Sequence, residues 1–187
     1  MPFSALDPET ALIVVDLQAG IVGLPLAHPV EGVIEHCVAL LAAFRRHGLP
    51  VVLVNVAGSP PGRTDRGHAG TSLPDGFTEL IGELDRRPGD ILVTKHARSA
   101  FSGTFLADLL RERHVTQVVV TGIATGSGVE STARSAHEEG FHVSLPVDAM
   151  TDGSADTHEH SIAHVFPRIA EVGRTEDLLK LLEGGVR

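Results

Sequence analysis

Short apolar runs that alternate with helix-patterned segments constrain this chain most. Residues 11–17 read ALIVVDL, apolar throughout except for Asp16 near the end. A run this short, without polar alternation, is the pattern of a strand buried on both faces of a sheet. The same pattern returns at 50–56 (PVVLVNV), 90–95 (DILVTK), 117–123 (QVVVTGI) and 141–149 (FHVSLPVDA), and briefly at 172–174. Between these runs the period changes. Residues 28–47 place Val30, Val33, Ile34, Cys37, Leu40, Leu41 and Phe44 at helical spacing, with Pro29 near the start and Gly48 just past the end. Further helices are predicted at 77–84, 104–113 (with Thr104 as a possible cap), 129–139 (closed by Gly140), 156–169 (broken near Pro167) and 176–183. Strands that alternate with helices give a parallel sheet covered on both faces, joined by right-handed crossovers.

No repeat, low-complexity tract or linker divides the 187 residues, so a single domain over 1–187 is expected. No apolar run approaches the roughly 20 residues of a membrane helix. The start, MPFSALDPET, lacks the basic and apolar regions of a signal peptide, so the expected location is the cytoplasm, away from any membrane. The formal net charge is −9, which disfavours nucleic acid as a partner. The lone cysteine, Cys37, excludes an internal disulfide and lies on the apolar stripe of its helix, where a small core residue is expected.

Three places can carry chemistry. Asp16 ends the first apolar run, and a buried carboxylate needs either a partner or a role. Its structural alternative is to bind nearby backbone N–H groups. Lys95 ends the third run in the same way and is one of only two lysines. It either pairs with Asp16, which would adjust the acidity of both, or snorkels to solvent at the sheet edge. The turn 121–128 (TGIATGSG) sets three glycines between a strand and a helix, where backbone N–H groups can face an anion or oxyanion. As a dinucleotide loop it fails, because Ser131 stands where the third glycine of G-x-G-x-x-G belongs. The 11 histidines include His158, His160 and His164 close together, but no H-E-x-x-H is present. A solvated polar face is the expectation for these three. Asp65 and His68 also fall at ligand-like spacing, with a poor second shell. No metal and no cofactor are expected.

Taken together, three segments resemble the isochorismatase-like hydrolase superfamily over nearly the whole chain. VVDLQ (14–18) matches its opening D-x-Q motif. TKHARSAFSGT (94–104) is similar to its lysine segment, and TGIATGSGVESTARSA (121–136), closed by VDAMTD, matches its nucleophile turn. The resemblance implies a three-layer α/β/α fold with a six-stranded parallel, doubly wound sheet. It implies a site between the first and fourth strands, a non-proline cis peptide at Ile123–Ala124, and backbone N–H groups of Ala124 and Gly128 aimed at a substrate oxygen. The catalytic positions carried over are Asp16, Lys95 and Gly128. Gln18, Arg66, Phe101, Ile123, Ala124, Thr125 and Ser127 are the implied substrate-binding residues. Small homo-oligomers, dimers or tetramers, are common in the family, and residues 20–26 (GIVGLPL) could form either an interface or a pocket roof.

The departures narrow the chemistry. Cysteine-dependent members hydrolyse amides with an Asp–Lys–Cys triad through a thioester, whereas Gly128 offers no side chain to attack with. True isochorismatases also carry glycine there. The metal-binding D-x-H loop of nicotinamidase-type members is absent after Val56. Gly58 stands near the position where isochorismatases carry glutamine, and Arg63 or Arg66 is available to hold a substrate carboxylate. Three functions remain open. The first is a hydrolase of a small molecule that uses Asp16 and Lys95 non-covalently, for example on a vinyl ether. The second is an amide or ester hydrolase that uses activated water or Ser127. The third is a catalytically silent binding protein.

Overall fold

The computed structural model describes residues 3–65 and 73–184. The strands are β1 (Thr10–Val15), β2 (Val51–Val56), β3 (Ile91–Lys95), β4 (Gln117–Ile123), β5 (His142–Pro146), β6 (Met150–Thr151) and β7 (Glu171–Gly173). All pairings between them are parallel, in the order β3-β2-β1-β4-β5-β7, with the two-residue β6 set against the end of β4. Six strands thus form the main path and β6 is an addition to it. Strand order reverses between β1 and β4, the place where open α/β sheets bind ligands beyond the carboxyl ends of the strands.

β1 and β4 are buried along their whole length. Side chains alternate across β1: Ala11, Ile13 and Val15 pack into one apolar layer, Leu12 and Val14 into the other. The first layer is closed by α3 (Leu106–Glu112) and α4 (Glu130–Glu138), through residues such as Leu106, Leu110, Ala133 and Ala136. The second is closed by α2 (Val30–Arg46) and α6 (Thr175–Glu183), through residues such as Cys37, Leu40, Phe44 and Leu178. Two shorter helices, α1 (Ala19–Val22) and α5 (Ala155–His160), flank the carboxyl end of the sheet.

Three elements differ from the sequence reading. The helix expected at 77–84 is a turn-rich segment with a single 3₁₀ turn at Gly82–Leu84. Its backbone bonds outward instead: Phe77 O accepts from Gly20 N and from Gln18 Nε2, Glu79 O accepts from Ala19 N, and Ile81 N donates to Leu17 O. The strand expected to run through 141–149 stops at Pro146, which has no N–H to continue the ladder, and the chain turns before β6. The helix expected at 156–169 is α-helical only to His160. A wider π turn (Ser161–Val165) and a tighter 3₁₀ turn (Phe166–Arg168) follow it around Pro167. Among the described residues, no helix is long and apolar enough to cross a membrane.

Candidate active site

β1 delivers Asp16 to the switch point in a left-handed backbone conformation, φ 54°. Aspartate tolerates this region better than most residues, and such positions gather at functional sites. The Asp16 N–H is held by Val54 O at 2.9 Å, and the residue is 5% exposed. Lys95, 2% exposed, reaches from the end of β3 past β2 and donates from Nζ to Asp16 Oδ2 at 2.8 Å and to Ala97 O at 3.2 Å. Of the two alternatives left open for Lys95, the ion pair with Asp16 is the one that forms. Asp16 Oδ1 is buried and has no hydrogen-bond partner among the described residues. Burial pushes the Asp16 carboxyl up to about 6, because loss of hydration outweighs the charge and hydrogen bond of Lys95, which act in the opposite direction.

The second wall is the turn that follows β4. Gly122 has φ 111°, and a Cβ there would lie 2.0 Å from Val15 O, so only glycine fits against β1. The next peptide, Ile123–Ala124, is cis, at the place the family resemblance implied. Residues Thr125–Val129 form a π turn that leads into α4, with Val129 N bonded to Ala124 O at 3.1 Å. Asp152 fixes this turn by accepting from Gly126 N at 2.8 Å. Thr125 is fully buried, and its Oγ1 lies 2.8 Å from His158 Nδ1. Gly128 is buried, and a Cβ built on it would lie 3.0 Å from Val15 Cγ1 and 3.1 Å from Asp16 Oδ2. A side chain at 128 would thus crowd the Asp16 carboxyl.

These walls enclose a cleft of about 1080 Å³. Asp16, Lys95, Ile123, Ala124, Ser127 and Gly128 all line it. Other expected contacts lie elsewhere. Gln18 is fully buried behind the wall, where Oε1 accepts from Val56 N and Nε2 donates to Val56 O and Phe77 O, so both ends of its amide serve backbone. Phe101 packs on Phe141 in the apolar layer of α3 and α4, with ring centroids 6.0 Å apart. Thr125 is turned toward His158 rather than into the cleft. Arg66 and His68 lie outside the described residues, whereas Arg63 lines the cleft. Residues 20–26 contribute Ile21, Leu24 and Leu26 to the same wall, the roof alternative for that segment.

His158 departs from the expected solvated face. It is 8% exposed, and burial, reinforced by neighbouring His28, moves its imidazole below the usual value. His160 and His164 are exposed, as expected. Among the described residues, no group of three or more His, Cys, Asp or Glu is arranged to hold a metal ion.

Two cleft residues were not singled out from sequence. Arg98, three positions beyond Lys95, donates from Nη1 to Ser127 Oγ beside Gly128. Arg134 lines the far side of the cleft from α4. Their signal was present inside the quoted motifs, but only the fold shows that both guanidinium groups reach the same cavity.

A family model for the isochorismatase domain matches residues 10–177. The chain is 39% identical over 182 residues to the uncharacterized isochorismatase family protein YecD of Escherichia coli O157:H7, which covers 92% of this chain and 96% of the relative. It is 27% identical over 188 residues to the maleamate amidohydrolase of Pseudomonas putida, covering 93% and 87%. Among solved structures, an isochorismatase family protein from Burkholderia thailandensis superposes with a TM-score of 0.92 at 36% identity, over 98% of this chain and 99% of that one.

Proposed function

This chain belongs to the isochorismatase family of hydrolases, and from that premise we propose that it cleaves a small anionic molecule by non-covalent acid–base catalysis at Asp16. One observation carries the reading: the cleft holds a buried carboxyl with one oxygen tied to Lys95 and the other, Oδ1, without a partner. A buried acceptor left unpaired is costly unless the working state supplies its partner. Here that partner is a proton, a water or the substrate.

The division of labour follows from the two oxygens. Lys95 holds Oδ2 and so orients the carboxyl, leaving Oδ1 to carry or receive the proton. With its pKa near 6, Asp16 populates both protonation states around neutrality, which suits a group that must exchange protons. As an acid, it protonates an acceptor such as a vinyl ether carbon, and water attacks the resulting cation. As a base, it takes a proton from water attacking an amide or ester carbonyl, with the backbone of Ala124 and Gly128 facing the developing oxyanion. Likeness to a maleamate amidohydrolase favours this second route. Gly128 leaves no side chain for a covalent adduct at the position of the family's cysteine. Ser127 Oγ is engaged by Arg98, a cation that cannot act as its base. Arg63 and Arg98 on the cleft wall supply positive charge suited to a substrate carboxylate.

The test is turnover of a panel of vinyl ethers, amides and esters that carry a carboxylate, followed by the pH dependence of kcat on the best substrate. If Asp16 is the acid, the active form dominates below about 6 and the rate falls as pH rises through that value. If it is the base, the rate rises through the same window. Tight binding of panel members without turnover of any would replace this reading with a silent binding protein.

A further inference from the structure

A second cavity, of about 440 Å³, is lined by Arg134, His160, His164, Val165, Arg168 and Ile169. Four of its six lining residues carry nitrogen donors or a positive charge, and none carries a carboxylate. This gathers cationic and N–H donor side chains in one place in a chain whose formal net charge is −9.

The local backbone assembles it. The helix Ala155–His160 widens into the π turn Ser161–Val165 and then tightens into the 3₁₀ turn Phe166–Arg168. Irregular turns of this kind recur at functional sites. His160, His164 and Arg168, spaced four apart, come to line one cavity, and the two imidazole rings lie 5.1 Å apart, centre to centre. Arg134 approaches from α4, steered by Glu130. That carboxylate accepts from Arg134 Nε at 2.9 Å and from Ser161 Oγ at 2.7 Å, which ties the two walls together. Among the described residues, Glu130 engages only Nε of Arg134, and Arg168 has no hydrogen-bond or ion-pair partner. Two guanidinium groups are therefore available to the cavity.

We infer that this groove binds the phosphate group of a small ligand, at a site that borders the catalytic cleft and shares Arg134 with it. Guanidinium forks match phosphate oxygens in a bidentate manner, and the imidazoles add further donors. The cavity exceeds a bare phosphate, and Val165 and Ile169 offer apolar surface to the organic part of a phosphate monoester. Free phosphate and a monoester share the recognising chemistry, so both serve as probes.

The experiment titrates the full chain with inorganic phosphate, with glycerol phosphate and with succinate, following the imidazole resonances of His160 and His164 by NMR and the affinity by calorimetry. Both phosphate probes are expected to shift both histidines saturably at millimolar concentration, with succinate weaker. Tighter binding of glycerol phosphate identifies the monoester as the class, and equal binding identifies free phosphate. Arg168→Gln, at an exposed position, should weaken binding about tenfold or more, whereas Arg98→Gln, in the catalytic cleft, should leave it unchanged. If Arg168→Gln does not fold, His164→Asn provides the same reading. No saturable shift, or a loss caused by Arg98→Gln instead, would overturn the assignment. So would an altered oligomeric state of Arg168→Gln with the phosphate response intact, which would give the groove to a second copy of the chain.

Discussion

Two ion pairs, one half-buried and one buried, stand in different regions of this molecule, and they are built to opposite rules. At the corner where α2 ends, Arg45 meets Asp90 with Nε–Oδ1 at 3.3 Å and Nη2–Oδ2 at 2.6 Å. Its surroundings complete it: Arg45 also donates to Leu84 O, and Asp90 Oδ2 also accepts from Arg87 N. At the switch point, Lys95 contacts a single oxygen of Asp16, the other is unpaired, and the aspartate backbone is left-handed. The first pair satisfies both carboxylate oxygens and fixes a corner. The second leaves one oxygen unsatisfied and its proton affinity high. An ion pair that is geometrically closed is structural, and one that is left open is available for chemistry.

Mutations can break or sharpen this contrast. The largest effect is expected from Asp16→Asn, which should lower kcat by about 10²–10⁴-fold while the protein remains folded by circular dichroism. Kinetics equal to the parent protein would remove Asp16 from the mechanism. Arg45→Ala should do the reverse. Urea unfolding should show a loss of about 1–3 kcal/mol, because Asp90 loses its counter-charge and keeps only the N–H of Arg87, with kcat/KM within the range of the parent. Loss of activity at unchanged stability would erase the distinction between the pairs.

Lys95→Met removes the two influences that lower the Asp16 pKa and leaves burial alone, so the aspartate limb of the pH profile should move upward by about 1–3 units. A downward move would show that burial does not dominate at this site. The smallest effect is expected from Gly128→Ala, whose new methyl group would sit 3.1 Å from Asp16 Oδ2 and 3.0 Å from Val15 Cγ1. Thermal unfolding should report overpacking of about 1–3 kcal/mol, together with reduced kcat. Full activity would show that the carboxyl has room to shift without consequence.

The central sheet was legible in the sequence because β1 and β4 are buried on both faces, and burial of that kind leaves an unbroken apolar run. The Asp16–Lys95 pair was legible because each charge interrupts or ends such a run, and each needs a counter-charge. Segment 77–84 was not, since nothing local reveals that its carbonyls are claimed by Gln18, Ala19 and Gly20. For the same reason Gln18 read as a wall of the cleft and is instead a strut behind it. His158 read as solvated because its partner Thr125 lies 33 residues away, across the turn it helps to hold. Arg98 and Arg134 were hidden differently: exposed arginines are common in this chain, and only tertiary geometry separates two that reach a cavity from the others.

Glycine at 128 also decides how such a site withstands oxidants and alkylating agents. The acid–base pair beside it is a carboxyl and an ammonium, neither of which climbs the sulfenic-to-sulfonic ladder that ends the working life of a thiolate. The chain's one sulfhydryl, Cys37, is fully buried on the inner face of α2, and burial pushes its thiol up to about 12, so almost none of it is the reactive thiolate at neutral pH. Peroxide and iodoacetamide find no catalytic sulfur here. The same scaffold that carries thiol chemistry elsewhere in its family is, in this chain, redox-silent at its centre.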